Sequence, residues 1–216
     1  MVQSQSHGFT LAENPIRELV FGLPQESNNT DTYDIPSEKN KLDENENVSI
    51  KTTGGGNIDC GDILRFFDYD MKKKNTIICV EYRQVVDKKV IKKIHEINYT
   101  ESMHKDLFGT ITKEELTEYV NLVKSIKSGK CDKETREKYK SEKKRLQKHH
   151  NMQINISPKV DSKSQRRVQC SIPNFNTTLK KYITYSSFDD KPNVIRDIEI
   201  PVSIISKTRT RHSKQD

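Results

Sequence analysis

Apolar side chains recur at helical spacing near the start of the chain. Leu11, Ile16, Leu19 and Val20 fall near one face, with Glu13, Arg17 and Glu18 mostly on the other. Pro15 is placed in the first turn, where its missing N–H costs little, and Gly22 and Pro24 stop the helix. A polar, turn-rich stretch over 25–47 follows, with short strand material at Tyr33-Asp34-Ile35 ahead of Pro36, which cannot continue a central strand. Val48 and Ile50 then alternate with Ser49 and Lys51 in a period-two strand that Gly54-Gly55-Gly56 ends. A short helix is predicted around Asp62–Phe67. Thr76–Val80 reads as an apolar strand running on into Glu81-Tyr82-Arg83-Gln84, with a turn at Asp87-Lys88-Lys89 and a returning strand over Val90–Tyr99.

The second half begins with a short helix closed by Phe108-Gly109. Thr112 is a good N-cap with Glu115 three residues on, and Leu116, Tyr119, Val120 and Val123 form the apolar stripe of the next helix. Asp132–His150 is a second, very polar helix with only Tyr139 and Leu146 to bury, the pattern of a solvated helix laced with charge pairs. Met152–Ile156 and Val168–Ile172 read as strands separated by a basic loop. The chain therefore reads as one α/β domain over 1–205, with a polar helical insertion at about 112–150 and a basic flexible tail over 206–216.

Composition changes this picture in three ways. Hydrophobic residues are only 31% of the 216, so the core must be concentrated in a few segments. Lys+Arg exceed Asp+Glu by 38 − 31 = 7, which suits a negatively charged partner, nucleic acid being the commonest. Cys60, Cys79, Cys131 and Cys170 form no CxxC pair, which argues against a sequence-local zinc site and for a reducing compartment. No apolar run approaches the ~20 residues that span a bilayer, and MVQSQSHGF lacks the charged start and apolar stretch of a signal peptide. The expectation is a soluble intracellular protein without a membrane partner.

The chemistry-bearing residues lie early. Glu13 is on the opening helix, Asp34 ends a short strand, and Lys51 follows 51 − 34 = 17 residues later on the next strand. An Asp and a Lys on adjacent strands can meet at one edge of a sheet, and that pairing suits phosphodiester hydrolysis. One or two carboxylates suffice to hold Mg²⁺, which neutralises phosphate charge and lowers the pKa of a bound water. A neighbouring lysine orients that water and stabilises developing negative charge. Glu81 and Gln84 read as exposed positions on an edge strand, and His149-His150 as cationic charge at a helix C-terminus.

The segments HGFTLAENPIRE (7–18), YDIP (33–36) and VSIKTTGGGNIDCGDILRFF (48–67) resemble PD-(D/E)XK, restriction-endonuclease-like proteins of bacteria and large DNA viruses. The resemblance covers roughly the first 100 residues. It implies a restriction-endonuclease-like fold with a central mixed β-sheet flanked by helices. It also implies a Mg²⁺-dependent endonuclease of type II restriction type, with Mn²⁺ as a substitute, in the cytoplasm of a bacterium or a virus-infected cell. Asp34 then binds metal, Lys51 acts on the attacking water and Glu13 is the helix acid. Two departures matter: the proline follows the aspartate, and Ser49 stands where the motif has Asp or Glu. Ser49 can contribute a neutral oxygen or position a water. The missing carboxylate falls first to Asp62 on GDILRFF and second to Asp59, or instead to Glu13.

Double-stranded DNA is the implied partner and a homodimer the implied assembly, since a palindrome cut on both strands needs two sites. The strands and loop over about 152–173 are the expected contact region, where Lys159, Lys163, Arg166, Arg167 and Gln169 can grip phosphates, and Arg and Gln can also read base edges. Competing expectations are a repair or recombination nuclease that reads structure over sequence, a DNA-binding protein that has lost its metal site through Ser49, and a basic interaction protein unrelated to nucleic acid.

Overall fold

The computed structural model describes residues 9–26, 31–126, 131–160 and 167–205. Its frame is a mixed five-stranded sheet built on the alternating segments. β1 (Glu46–Thr53) pairs in parallel with β3 (Lys74–Val85), and β3 pairs antiparallel with β4 (Lys88–Asn98). The far edge of β4 takes β10 (Ser203–Ile205) at Lys88–Val90 and β7 (Ile183–Ser186) at His95–Ile97. A parallel pair needs a crossover. Between β1 and β3 the crossover carries β2 (Ile58–Asp62) and the helix α1 (Ile63–Phe67). β2 joins β6 (Arg167–Ile172) and β5 (Asn155–Lys159) in a second, antiparallel three-stranded sheet. The architecture is thus α/β with a mixed sheet and helices.

Strand alternation sends the apolar residues of the main sheet to two separate cores. Val48, Ile50, Ile78, Val80 and Ile94 pack beneath the N-terminal segment against Leu11, Ala12, Ile16 and Val20. Ile77, Cys79 and Ile97 face the other way, into a larger cluster with the three-stranded sheet and the helices α2 (Glu101–Phe108), α3 (Lys113–Lys124) and α4 (Lys133–His149). Those helices form as their caps dictate. Thr100 and Thr112 accept from Met103 N and Glu115 N, the Thr112–Glu115 capping box is complete, and Asp132 caps α4. α3 and α4 occupy the expected polar insertion, yet Leu116, Tyr119, Val120, Val123, Tyr139 and Leu146 all belong to the same core as the sheet.

Several expectations are corrected. The opening helix is a pair of wide π-helical turns, Phe9–Glu13 and Ile16–Val20, with Pro15 between them and Phe21 N bonded to Ile16 O five residues back. Proline in mid-segment removes a donor from the regular ladder. The buried face also rotates: Leu19 is 48% exposed, whereas Arg17 is 2% exposed and Glu13 is 8% exposed. β2 was not expected at all. Lys88 and Lys89 belong to β4, leaving Val86 and Asp87 as the turn. β3 is internal, so Glu81 is buried rather than on an edge, while Gln84 is exposed. The early strand is reduced to one bridge between Ile35 and Val48. Met152–Ile154 precedes β5, with Gln153 N and Ile154 N both bonded to Leu107 O. The basic tail 206–216 lies outside the described residues.

The far end of β1 is pinned by charge. Glu46 is fully buried, and its carboxylate accepts from Arg196 Nη1 and Nη2 at 3.0 and 2.9 Å, from Thr76 Oγ1 at 2.6 Å, and pairs with Lys74 at 2.9 Å. Arg196 sits in the tight turn between β8 (Val194–Ile195) and β9 (Ile198–Glu199), where Arg196 and Asp197 both have positive φ, 49° and 63°. Burial alone would raise the Glu46 carboxyl; its bonds from Arg196 and Thr76 overcome that and hold it at about 2. A depressed carboxylate contributes stability that is present above its ordinary pKa and lost as pH falls through the native one. Glu46→Ala is expected to cost about 3 kcal/mol by removing both Nη bonds of Arg196 and leaving its half-buried guanidinium held by Glu96 alone, 2.6 Å from Nε. Urea unfolding at pH 7 checks the cost. Repeated between pH 5 and 2, it should show the wild-type advantage shrinking across that window.

Candidate active site

β1 is the open edge of the main sheet, and its outward amides must find partners. Val48 finds Ile35 in a reciprocal bridge, Ile35 N to Val48 O at 2.9 Å and Val48 N to Ile35 O at 2.8 Å. Two residues on, the backbone partner is gone and a side chain replaces it. Ile50 N donates to Asp34 Oδ2 at 2.6 Å, and Lys51 Nζ donates to the same oxygen at 3.0 Å. Pro36 lies on the Asn47 side of the bridge, and on the other side the Asp34 carboxylate takes over. Lys51 remains partly open to solvent, 22% for its side chain against 14% for Asp34.

Glu13 completes the group from the layer above. It is buried, its Oε1 has no hydrogen-bond partner among the described residues, and its pKa is raised from 4.5 to about 8. Burial is the main cause and the Asp34 charge the next, with Lys51 and Arg17 pulling the other way. Lys51 is the reverse case. Burial would lower it, and the Asp34 carboxylate outweighs burial and holds it above the ordinary lysine value, so it is an ammonium at neutral pH. Arg17 fixes the frame: it donates to the Asp34 carbonyl, to Pro24 O at 3.2 Å and to Glu26 Oε1 at 2.7 Å.

The other expected residues are placed elsewhere. Ser49 shares Lys51's face of β1, but its Oγ lies 2.6 Å from Tyr69 OH inside the core. Asp62 caps α1, accepting from Leu64 N at 3.1 Å and Arg65 N at 3.2 Å, and Asp59 accepts from Gly61 N at 2.9 Å. Of the three alternatives for a second carboxylate, Glu13 is the one that feels the charges of Asp34 and Lys51. Lys159 and Arg167 face each other across β5 and β6, with Gln169 opposite Ser157. Lys163 and Arg166 lie outside the described residues.

No family model matches the chain, no curated protein is similar to it, and no solved structure matches it. What the site can do is therefore read from its geometry. Among the described residues no helix is long and apolar enough to cross a membrane, and no cluster of three or more His, Cys, Asp or Glu side chains is placed to hold a metal. The donor set at the β1 edge is two carboxylates, one of them buried with an unsatisfied oxygen. That set suits a hard cation that keeps most of its waters, as Mg²⁺ does, better than a metal needing a full protein cage.

A second polar group was missed from sequence. Glu81 lies two residues beyond Cys79, the register partner of Lys51, and its Oε2 is 3.8 Å from His95 Nε2. His95 Nδ1 is 2.7 Å from Ser186 Oγ, and Asn176 Nδ2 donates to Glu81 Oε1 at 3.1 Å. Burial holds His95 below its ordinary value against the pull of Glu81. Only the strand order that makes β3 internal reveals it.

A native carboxyl raised to about 8 favours the folded state fully below its ordinary pKa of 4.5 and loses that contribution as pH rises to about 8. Glu13→Gln keeps the shape and removes the titration. Without divalent ions, the variant should gain stability over wild type as pH rises from 4.5 to 8, by an amount on the order of 1–3 kcal/mol, then level off. Thermal melts across pH 4.5–9 measure this, and a pH-independent difference would show that Glu13 is not the perturbed group.

Proposed function

We propose that the chain is a Mg²⁺-dependent endonuclease hydrolysing DNA phosphodiester bonds, built on a restriction-endonuclease-like variant of its mixed-sheet fold. The observation that carries the reading is the Asp34–Lys51 ion pair at the open edge of β1, within electrostatic reach of the unsatisfied, proton-holding Glu13. Asp34 and Glu13 are the residues to hold the cation, whose charge would displace the Glu13 proton. When bound, Mg²⁺ supplies charge neutralisation and an acidified water. Lys51, kept charged by Asp34, donates to the phosphate oxygen on which negative charge grows and orients the attacking water. Water adds to phosphorus and gives up a proton to solvent, the bond to the leaving sugar oxygen breaks, and that oxygen takes a proton from solvent to leave as the hydroxyl. The net positive charge of the chain, +7, draws the polyanion in. Site-specific cutting of both strands by a homodimer belongs to the same proposal.

One observation favours a second reading, a DNA-binding protein without catalysis. Ser49 occupies the usual acid position and its hydroxyl is tied to Tyr69, so only two carboxylates serve the site.

Supercoiled plasmid with purified protein and Mg²⁺ separates the two. Cleavage that needs Mg²⁺ or Mn²⁺ supports the nuclease, and a salt-sensitive gel shift without cleavage supports the second reading. Lys51→Ala and Asp34→Asn should each slow cleavage by about 10²-fold or more while leaving DNA retention largely intact. Full activity in either variant excludes this site.

A further inference from the structure

The β3–β4 hairpin runs past the site and out of the protein. From Arg83 to Lys88 every residue is exposed, and the tip residue Val86 is 88% exposed. Val86 also has φ 53°, a left-handed conformation that is costly for a β-branched side chain and is normally given to Gly or Asn. Val85 and, across β4, Ile205 of β10 are exposed beside it. The flanks are basic: Arg83, Lys88, Lys89, Lys92 and Lys93 against a single Asp87. Lys89 lies over the Tyr82 ring, Lys92 reaches Glu81 and Lys93 reaches Asp189, whereas Arg83 and Lys88 have no ion-pair partner among the described residues.

The direction of this hairpin ties it to the site. β1 and β3 are parallel, so the tip projects from the same end of the sheet at which β1 passes Lys51 and ends. Gly54 lies against the Tyr82 ring, where a Cβ would come within 3.0 Å, so the chain leaving the site is seated on the base of the hairpin. Lys51 stands opposite Cys79, and Val85 is six residues further along β3. At ~3.3 Å per residue the tip is ~20 Å beyond the site, a length that spans ~6 base pairs of duplex.

We propose that this hairpin tip is the principal DNA-holding element of the protein. Arg83 and Lys88 bind backbone phosphates of a duplex, and Val86 is the apolar contact to base edges or sugars, about half a helical turn from the scissile phosphate. The proposal rests on the nuclease reading and moves the main contact away from the Lys159–Gln169 region. Duplex DNA is the occupant because the surface carries unpaired cations beside a small apolar tip, whereas a membrane or protein partner would need a broader apolar face.

The test is fluorescence anisotropy with a ~25 base-pair duplex in Ca²⁺, at NaCl from about 50 to 200 mM, on full-length protein. The double variant Arg83→Ala/Lys88→Ala should bind at least tenfold more weakly and flatten the log–log salt slope by about two. Val86→Gly relieves the backbone, so its melting temperature should hold or rise while affinity falls about threefold or more. Lys159→Ala/Arg167→Ala should have the smaller effect. Unchanged affinity and slope in Arg83→Ala/Lys88→Ala, or a larger loss in Lys159→Ala/Arg167→Ala, overturns the proposal while Mg²⁺-dependent plasmid cleavage by wild type still stands. Wild type that neither binds nor cuts duplex DNA removes the nuclease reading and this proposal together.

Discussion

The arrangement at the site depends on one unsatisfied edge. A strand at the border of a sheet presents amides that must be paired, covered or solvated. On β1 the Ile35 bridge serves Val48, and at Ile50 the Asp34 carboxylate replaces a missing neighbour strand. That one substitution puts a negative charge beside the next side chain, Lys51, and fixes both at the rim of the sheet. The charge felt by Glu13 and the ammonium state of Lys51 follow from it. Asp34 therefore has a structural duty as well as a chemical one, which is why an asparagine that keeps an acceptor for Ile50 is the informative change and alanine is not.

The two ends of β1 treat buried carboxylates in opposite ways. At Glu46 the protein supplies a guanidinium, a hydroxyl and an ammonium, so the charge is compensated and the end is rigid. At Glu13 it supplies no hydrogen bond to one oxygen, and the carboxyl keeps its proton well above the ordinary range. An uncompensated buried acid is destabilising where it has only a structural role. The same chain solves that problem at Glu46, five residues before Lys51 on β1, and the contrast supports the proposal that Glu13 serves a cation. Perturbed acids of this kind cluster at functional sites.

Much of the frame was legible because it rests on local rules. Period-two alternation gave β1 and the Lys51 face, the Thr112–Glu115 pair gave the start of α3, and Tyr139 and Leu146 gave the buried stripe of α4. The meeting of Asp34 and Lys51 was legible as an Asp and a Lys placed on neighbouring extended segments. What was not legible depends on tertiary context. Polarity assigned Arg17 and Glu13 to solvent, while the structure buries both, because Pro15 widens the helical turns and rotates the face. β2 contains Asp59, Gly61 and Asp62, residues that strands disfavour, and is held as a strand by β6 across a bulge. Asp62 directly precedes an apolar helix, a capping position by its own chemistry, and that signal outweighs its candidacy as a metal ligand.

Sheet geometry also limits how DNA could lie. Strands are stiff, and a parallel pair such as β1 and β3 keeps its register over the full eight residues shared here. Any group on β3 is thus at a fixed offset from Lys51, and the hairpin tip cannot approach the site or retreat from it without breaking the β3–β4 ladder. Under the proposed nuclease reading, a rigid contact at a set distance would favour a fixed register between phosphate grip and cut. On that proposal the mixed sheet would act as a ruler, with β3 setting the distance between the hairpin tip and Lys51.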